Sequence, residues 1–213
     1  DYGIEIDGYT FNPSIFRKNG AKDYLDYSKK VVSLSNSKPL SLEVFADDKD
    51  GMINQAKILN SLGKNIYVKI PISFTNGNFT HEVISELSKQ NIKMNITAIF
   101  TIEQIRKILP IVKNQNAILS VFAGRIFDCG KDANMIMKEI CHEVKNSSNC
   151  EVLWASPRMS YDYKNAINCG AQIITMQLSQ IKKLKMFNKS LDDYSLETVK
   201  QFFIDAKSSG YKL

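Results

Sequence analysis

Short apolar runs separated by amphipathic stretches predict an α/β fold of the TIM type, a (β/α)8 barrel with a parallel sheet. Three observations carry that prediction. The alternation is regular from end to end; the 213 residues fit a single domain of barrel size spanning 1–213; and no GxGxxG or Walker sequence follows an early strand, as an open doubly wound sheet would usually require. Seven βα units are one short of closure, and the chain starts almost directly on a strand. The first βα unit is therefore expected to be missing from this sequence.

In order, the strands are expected at Asp7 to Phe11, Ser41 to Ala46, Ile66 to Ile70, Met94 to Thr97, Ala117 to Phe122, Val152 to Ala155 and Gln172 to Met176, where β-branched and aromatic residues cluster. Helical spacing of apolar residues marks the segments between them, near Ala21 to Ser35, Asp50 to Leu62, Thr80 to Lys89, Thr101 to Leu109, Ala133 to Lys145 and Ser160 to Asn168. Asn168-Cys169-Gly170 reads as a helix stop before the last strand. Helices near Ser179 to Lys185 and Ser195 to Lys207 close the chain. In the last, Leu196, Val199, Phe202, Phe203 and Ala206 form a stripe that needs cover, from the chain's own barrel or from a neighbouring subunit.

Composition narrows the function classes. Apolar residues make up 44% and charged residues 23%, enough for a substantial core. No run approaches the roughly 18 apolar residues of a membrane span, and no basic segment leads into an apolar one at the start, so a cytoplasmic protein without a membrane role is expected. Cys129, Cys141, Cys150 and Cys169 form no CxxC pair and have no nearby histidine cluster, which points to reduced thiols and no metal. The net charge of +6 comes from 28 basic and 22 acidic residues. The basic residues fall mostly singly, and Lys182-Lys183-Leu184-Lys185 has no interleaved aromatics, so attraction of anionic substrates explains the excess better than nucleic acid.

Lys69 is the most informative residue. It interrupts the apolar run Asn65 to Pro71, where a solvated charge does not belong. An ammonium held among apolar neighbours loses hydration, which favours the neutral amine needed to attack a carbonyl. Other polar residues recur at the expected strand ends, where barrel active sites lie: Asn12, Glu43, Asn95, Thr97, Ser120, Ser156 and Arg158, with Phe122 among them.

Five ordered segments then carry a resemblance: Thr10-Phe11-Asn12-Pro13-Ser14, Tyr67-Val68-Lys69-Ile70-Pro71, Asn95-Ile96-Thr97-Ala98-Ile99-Phe100, Ser120-Val121-Phe122-Ala123-Gly124-Arg125-Ile126 and Ala155-Ser156-Pro157-Arg158. In order and spacing they resemble the signature segments of the transaldolase family, which includes the fructose-6-phosphate aldolases. The resemblance implies that Lys69 forms a Schiff base with a ketose phosphate, and that Glu43 and Thr97 hold the water used for proton transfer. It also implies that Asn12, Asn95 and Ser120 bind the dihydroxyacetone unit, and that Arg125 and Arg158, with Ser156, hold the phosphate.

The implied substrates are fructose 6-phosphate, sedoheptulose 7-phosphate, erythrose 4-phosphate and glyceraldehyde 3-phosphate, in the pentose phosphate pathway, with no cofactor. A homo-oligomer, a pentamer or decamer with the C-terminal helix reaching a neighbour, is also implied. Phe122 and Glu43 stand where the aldolases tend to carry tyrosine and glutamine, which favours the transferase. Two departures stand out: Phe11 replaces a usual threonine, and the family's acid/base aspartate on the first strand has no counterpart here, since Asp7 corresponds to the following strand. The alternatives are a fructose-6-phosphate aldolase and a catalytically impaired homologue that binds sugar phosphates.

Overall fold

Valine, isoleucine and leucine at alternate strand positions drive one face of the sheet against helices, and this alternation sets the architecture. The computed structural model describes residues 5–212. Its seven strands are β1 (Tyr9–Thr10), β2 (Leu40–Glu43), β3 (Ile66–Pro71), β4 (Met94–Ile99), β5 (Ile118–Val121), β6 (Glu151–Trp154) and β7 (Ile173–Ile174). All pair in parallel and in sequence order, from β1 to β7, in one curled sheet. The result is an incomplete TIM-type barrel with β1 and β7 as its edges.

Among the described residues ten α-helices accompany the strands: α1 (Pro13–Lys18), α2 (Tyr24–Leu34), α3 (Lys49–Asn60), α4 (His81–Lys89), α5 (Ile102–Val112), α6 (Ala123–Asp128), α7 (Ala133–Ser147), α8 (Asp162–Cys169), α9 (Leu178–Lys183) and α10 (Leu191–Ser209). Their starts follow local chemistry. Asp48 caps α3 by accepting from the Gly51 amide, and Thr101 with Gln104 forms a capping box on α5. Gly170 ends α8 in the left-handed region at φ 85°, as the sequence signal predicts.

Successive residues on a strand serve different layers. Leu42, Val68, Ile70, Ile96, Leu119 and Trp154 belong to the large core between sheet and helices. The opposite face holds a smaller cluster of Ile118, Leu153 and Ala155 with Tyr67, Phe122 and Ile173. Lys69, between Val68 and Ile70, therefore lies on this second, inner face.

All seven expected strands are present; β2 and β5 are somewhat shorter than the sequence suggests, and β1 and β7 are cut to two residues each, as suits edge strands held from one side only. Two short helices, α1 and α6, occupy segments without an expected element. The C-terminal helix runs longer than expected and is exposed along its whole length, with Phe202 and Phe203 each 67% exposed. Its stripe does not pack back on the barrel.

Candidate active site

Strand register assembles the centre of the site. Glu43 lies opposite Lys69, and Lys69 opposite Asn95, so three adjacent strands present these side chains at one level of the inner face. Parallel partners in register point to the same side. Lys69 Nζ donates to Glu43 Oε2 at 2.7 Å, and the two side chains are only 10% and 19% exposed. The apolar neighbours expected for Lys69 are there, but a carboxylate meets its amine, so the lysine sits in a near-buried ion pair. A charge so withdrawn from water is held only with its partner in place.

Beside this pair runs a buried hydrogen-bond chain. Ser120 Oγ donates to Asn95 Oδ1 at 2.6 Å, and Asn95 Nδ2 donates to Ser41 Oγ at 3.0 Å. Asn95 is fully buried and the two serines nearly so, which fixes the orientation of the amide. Thr97 follows Asn95 by two residues on β4, and its buried Oγ1 has no hydrogen-bond partner among the described residues. A lone hydroxyl in a polar layer is a position for a water or a ligand hydroxyl. Thr97 lies within the stretch from Ile96 to Ile99 where the β4–β5 register shifts, and the next residue, Ala98, takes φ 60°.

Tyr24 fixes Glu43 from behind. Its hydroxyl donates to the Glu43 carbonyl oxygen at 2.8 Å and accepts from the Glu43 amide at 3.1 Å, and burial pushes the phenol well above its ordinary range. Tyr24, on α2, and Ser41 escape a reading of strand ends. Ser41 carried a signal, a hydroxyl two residues before Glu43 and so on the same strand face; Tyr24 carried none, since its contact spans 19 residues.

The arginines lie at the rim. Arg125, on α6, is exposed and stacks over the Phe122 ring at 5.4 Å, while Phe122 also packs against Phe100 with centroids 5.7 Å apart. Arg158 Nε donates to Asp128 Oδ1 at 2.9 Å, and its Nη2 pairs with Asp128 Oδ2. The Arg158 side chain holds the Asp128 carboxyl below the usual carboxylate range. Ser156 adopts φ 60°, and Gly124 packs so closely on it that a Cβ at 124 would lie 1.7 Å from the Ser156 carbonyl oxygen. Only glycine allows the turn into α6 to meet the end of β6 in this way.

Asn12 sits at the end of β1 but serves as the N-cap of α1, its Oδ1 accepting from the Ile15 amide at 2.8 Å. Phe11 packs on Phe16 with centroids 5.2 Å apart, in the core between sheet and helices. Asp7 is exposed. Thus Glu43, Lys69, Asn95 and Ser120 form one layer, Thr97 stands one step further along β4 opposite Pro71, Phe122, Arg125, Ser156 and Arg158 gather around α6, and Asn12 makes no hydrogen bond to either group among the described residues. No cluster of three or more His, Cys, Asp or Glu side chains suited to a metal occurs among the described residues. A cavity of about 490 Å³ lined by Asp47, Lys49, Phe74, Asn76 and His81, among others, lies apart from all of these.

A family model described as transaldolase/fructose-6-phosphate aldolase matches residues 3–212. The chain is 34% identical over 193 residues to a probable transaldolase of Methanococcus maripaludis strain C6, covering 90% of this chain and 85% of that protein. It is 31% identical over 209 residues to a probable transaldolase of Thermoanaerobacter sp. strain X514, covering 98% and 90%. Among solved structures, N-acetylneuraminate lyase from Mycoplasma synoviae superposes with a TM-score of 0.56 at 17% identity, over 96% of this chain and 71% of that one. A monomeric dihydrodipicolinate synthase variant gives 0.52 at 10% identity, over 95% and 69%. At those identities the two structures speak for the fold alone.

Proposed function

This chain belongs to the transaldolase/fructose-6-phosphate aldolase family, and we propose that it is a Schiff-base transaldolase that moves a dihydroxyacetone unit between sugar phosphates. The observation that carries the proposal is the 2.7 Å contact between Lys69 Nζ and Glu43 in the inner layer. A proton passes from the ammonium to Glu43, and the freed amine attacks the ketone of fructose 6-phosphate or sedoheptulose 7-phosphate. Glu43 returns the proton as the carbinolamine loses water, with Thr97 Oγ1 holding the water involved. The resulting iminium is an electron sink. The C4 hydroxyl proton then passes through that water to the Glu43 carboxylate as the C3–C4 bond breaks, which releases an aldose phosphate and leaves a three-carbon enamine on Lys69. The enamine adds to the next aldose, erythrose 4-phosphate or glyceraldehyde 3-phosphate, whose new hydroxyl takes the proton back, and water hydrolyses the iminium to free the product and Lys69.

Other side chains bind rather than react. Asn95, held by Ser41 and Ser120, presents a fixed amide to the hydroxyls of the dihydroxyacetone unit. Arg125, Arg158 and Ser156 take the phosphate, which suits the guanidinium fork and its permanent charge. Phe122 covers the space between Arg125 and the inner layer. The exposed stripe of α10 supports assembly into a homo-oligomer, with that helix covered by a neighbouring copy. No described helix is long and apolar enough to cross a membrane. The family reading, with sugar phosphates as substrates, implies a cytoplasmic enzyme.

The test separates transferase from aldolase. With fructose 6-phosphate and erythrose 4-phosphate, the enzyme forms sedoheptulose 7-phosphate and glyceraldehyde 3-phosphate. With fructose 6-phosphate alone, rapid accumulation of free dihydroxyacetone would assign it instead to the aldolases.

A further inference from the structure

We infer that Asp128 is a positioning residue that presets Arg158 for a phosphate ester; the inference rests on the sugar-phosphate reading above and deepens it. Arg158 lies in the segment after β6, where its side chain is exposed and would sample many rotamers if unheld. Asp128 engages it side-on, Oδ1 with Nε and Oδ2 with Nη2. The Arg158 backbone is held separately, its amide donating to Asp162 Oδ2 at 2.7 Å, and the next amide, of Met159, bonds to the same oxygen at 3.1 Å. Asp162 is 1% exposed, so the main chain under Arg158 is anchored in the core. Backbone and guanidinium are thus both fixed. Nη1 has no protein partner among the described residues, and that end of the fork is open to an incoming anion.

Asp128 is placed for this by the same contact that brings α6 to β6. Gly124 approaches the Ser156 carbonyl too closely for any side chain, and Asp128 follows one turn later on α6, three residues after Arg125. It thus sits near both arginines, and it offsets one of their two positive charges while the other remains to attract the phosphate. Holding the guanidinium in its binding orientation removes an ordering cost that the ligand would otherwise bear.

The experiment measures KM and kcat for glyceraldehyde 3-phosphate and for unphosphorylated glyceraldehyde as acceptors, and inhibition by inorganic phosphate, in wild type, Asp128→Ala and Asp128→Asn. The expected result for Asp128→Ala is a rise of about tenfold in KM for the phosphorylated acceptor, corresponding to the cost of ordering one long side chain on binding, with kcat changed less than KM. The inhibition constant for inorganic phosphate rises in parallel, and the preference for the phosphorylated acceptor shrinks. Asp128→Asn behaves similarly, since its amide NH2 can be set only against another donor on Arg158. A KM that stays level or falls in either variant would mean that Asp128 competes with the phosphate or stands apart from it, and overturns the inference while leaving the sugar-phosphate reading intact. A wild type indifferent to the phosphate on its acceptor overturns both.

Discussion

Replacing Thr97 with valine exchanges a hydroxyl for a methyl at nearly constant shape, at a site where stability and activity should move in opposite directions. Thr97 is 2% exposed and its Oγ1 makes no protein hydrogen bond among the described residues. An unsatisfied buried hydroxyl costs about 1–3 kcal/mol in proteins. A water held there recovers part of that penalty, so Thr97→Val should gain about 1 kcal/mol, or roughly 2–4 °C in Tm for a chain of this size. Loss of the water used in proton transfer should lower kcat on the order of 10²-fold. Urea unfolding and a coupled assay of sedoheptulose 7-phosphate formation read the two effects. A variant destabilised by more than about 1 kcal/mol would show the hydroxyl to be a structural hydrogen-bonding group, and one with unaltered kcat would remove Thr97 from the proton relay.

Three further outcomes are expected. Gly124→Ala places a methyl 1.7 Å from the Ser156 carbonyl oxygen, forcing a backbone separation of more than about 1 Å; a displacement of that size near a binding group costs about 10²-fold in kcat/KM for phosphorylated substrates. Wild-type kinetics in this variant would show that the α6–β6 contact does not set the site. Glu43→Ala leaves Lys69 without its counter-charge, and should lower kcat by 10²-fold or more and stability by up to about 3 kcal/mol, read by the same assay and urea unfolding; equal activity would exclude Glu43 from proton transfer. Burial pushes the Cys141 thiol up to about 12. A group raised on folding contributes its full stability below its unfolded value, about 8.5, and loses it as pH rises toward the folded value. Urea midpoints should therefore fall between about pH 8.5 and 12, and Cys141→Ala should fall less steeply; identical slopes would deny the contribution.

Much of this arrangement is legible in the sequence because parallel strands carry their pattern locally. Val68 and Ile70 flank Lys69 in a run too apolar for a surface strand, and the same logic exposes Asn95, Thr97 and Ser120. Of the three six-residue helices, α9 falls where the sequence predicts one, whereas α1 and α6 follow their strands too closely for a separate periodicity to show, although Asn12-Pro13 is an N-cap followed by a proline in the first turn, a readable start for α1. Pairings between distant segments were also hidden. Asp128 meets Arg158 across 30 residues, and Tyr24 meets Glu43 across 19, so only the fold reveals them. Lys69 was expected among apolar groups, and its partner Glu43 was visible as a strand-end residue; the register that joins them required the sheet.

The most direct measurement is reduction with borohydride in the presence of fructose 6-phosphate, followed by intact mass and peptide mapping. One three-carbon adduct, confined to the peptide containing Lys69 and absent from Lys69→Ala, is the predicted result. An unmodified protein, or an adduct on a different lysine, would contradict the account.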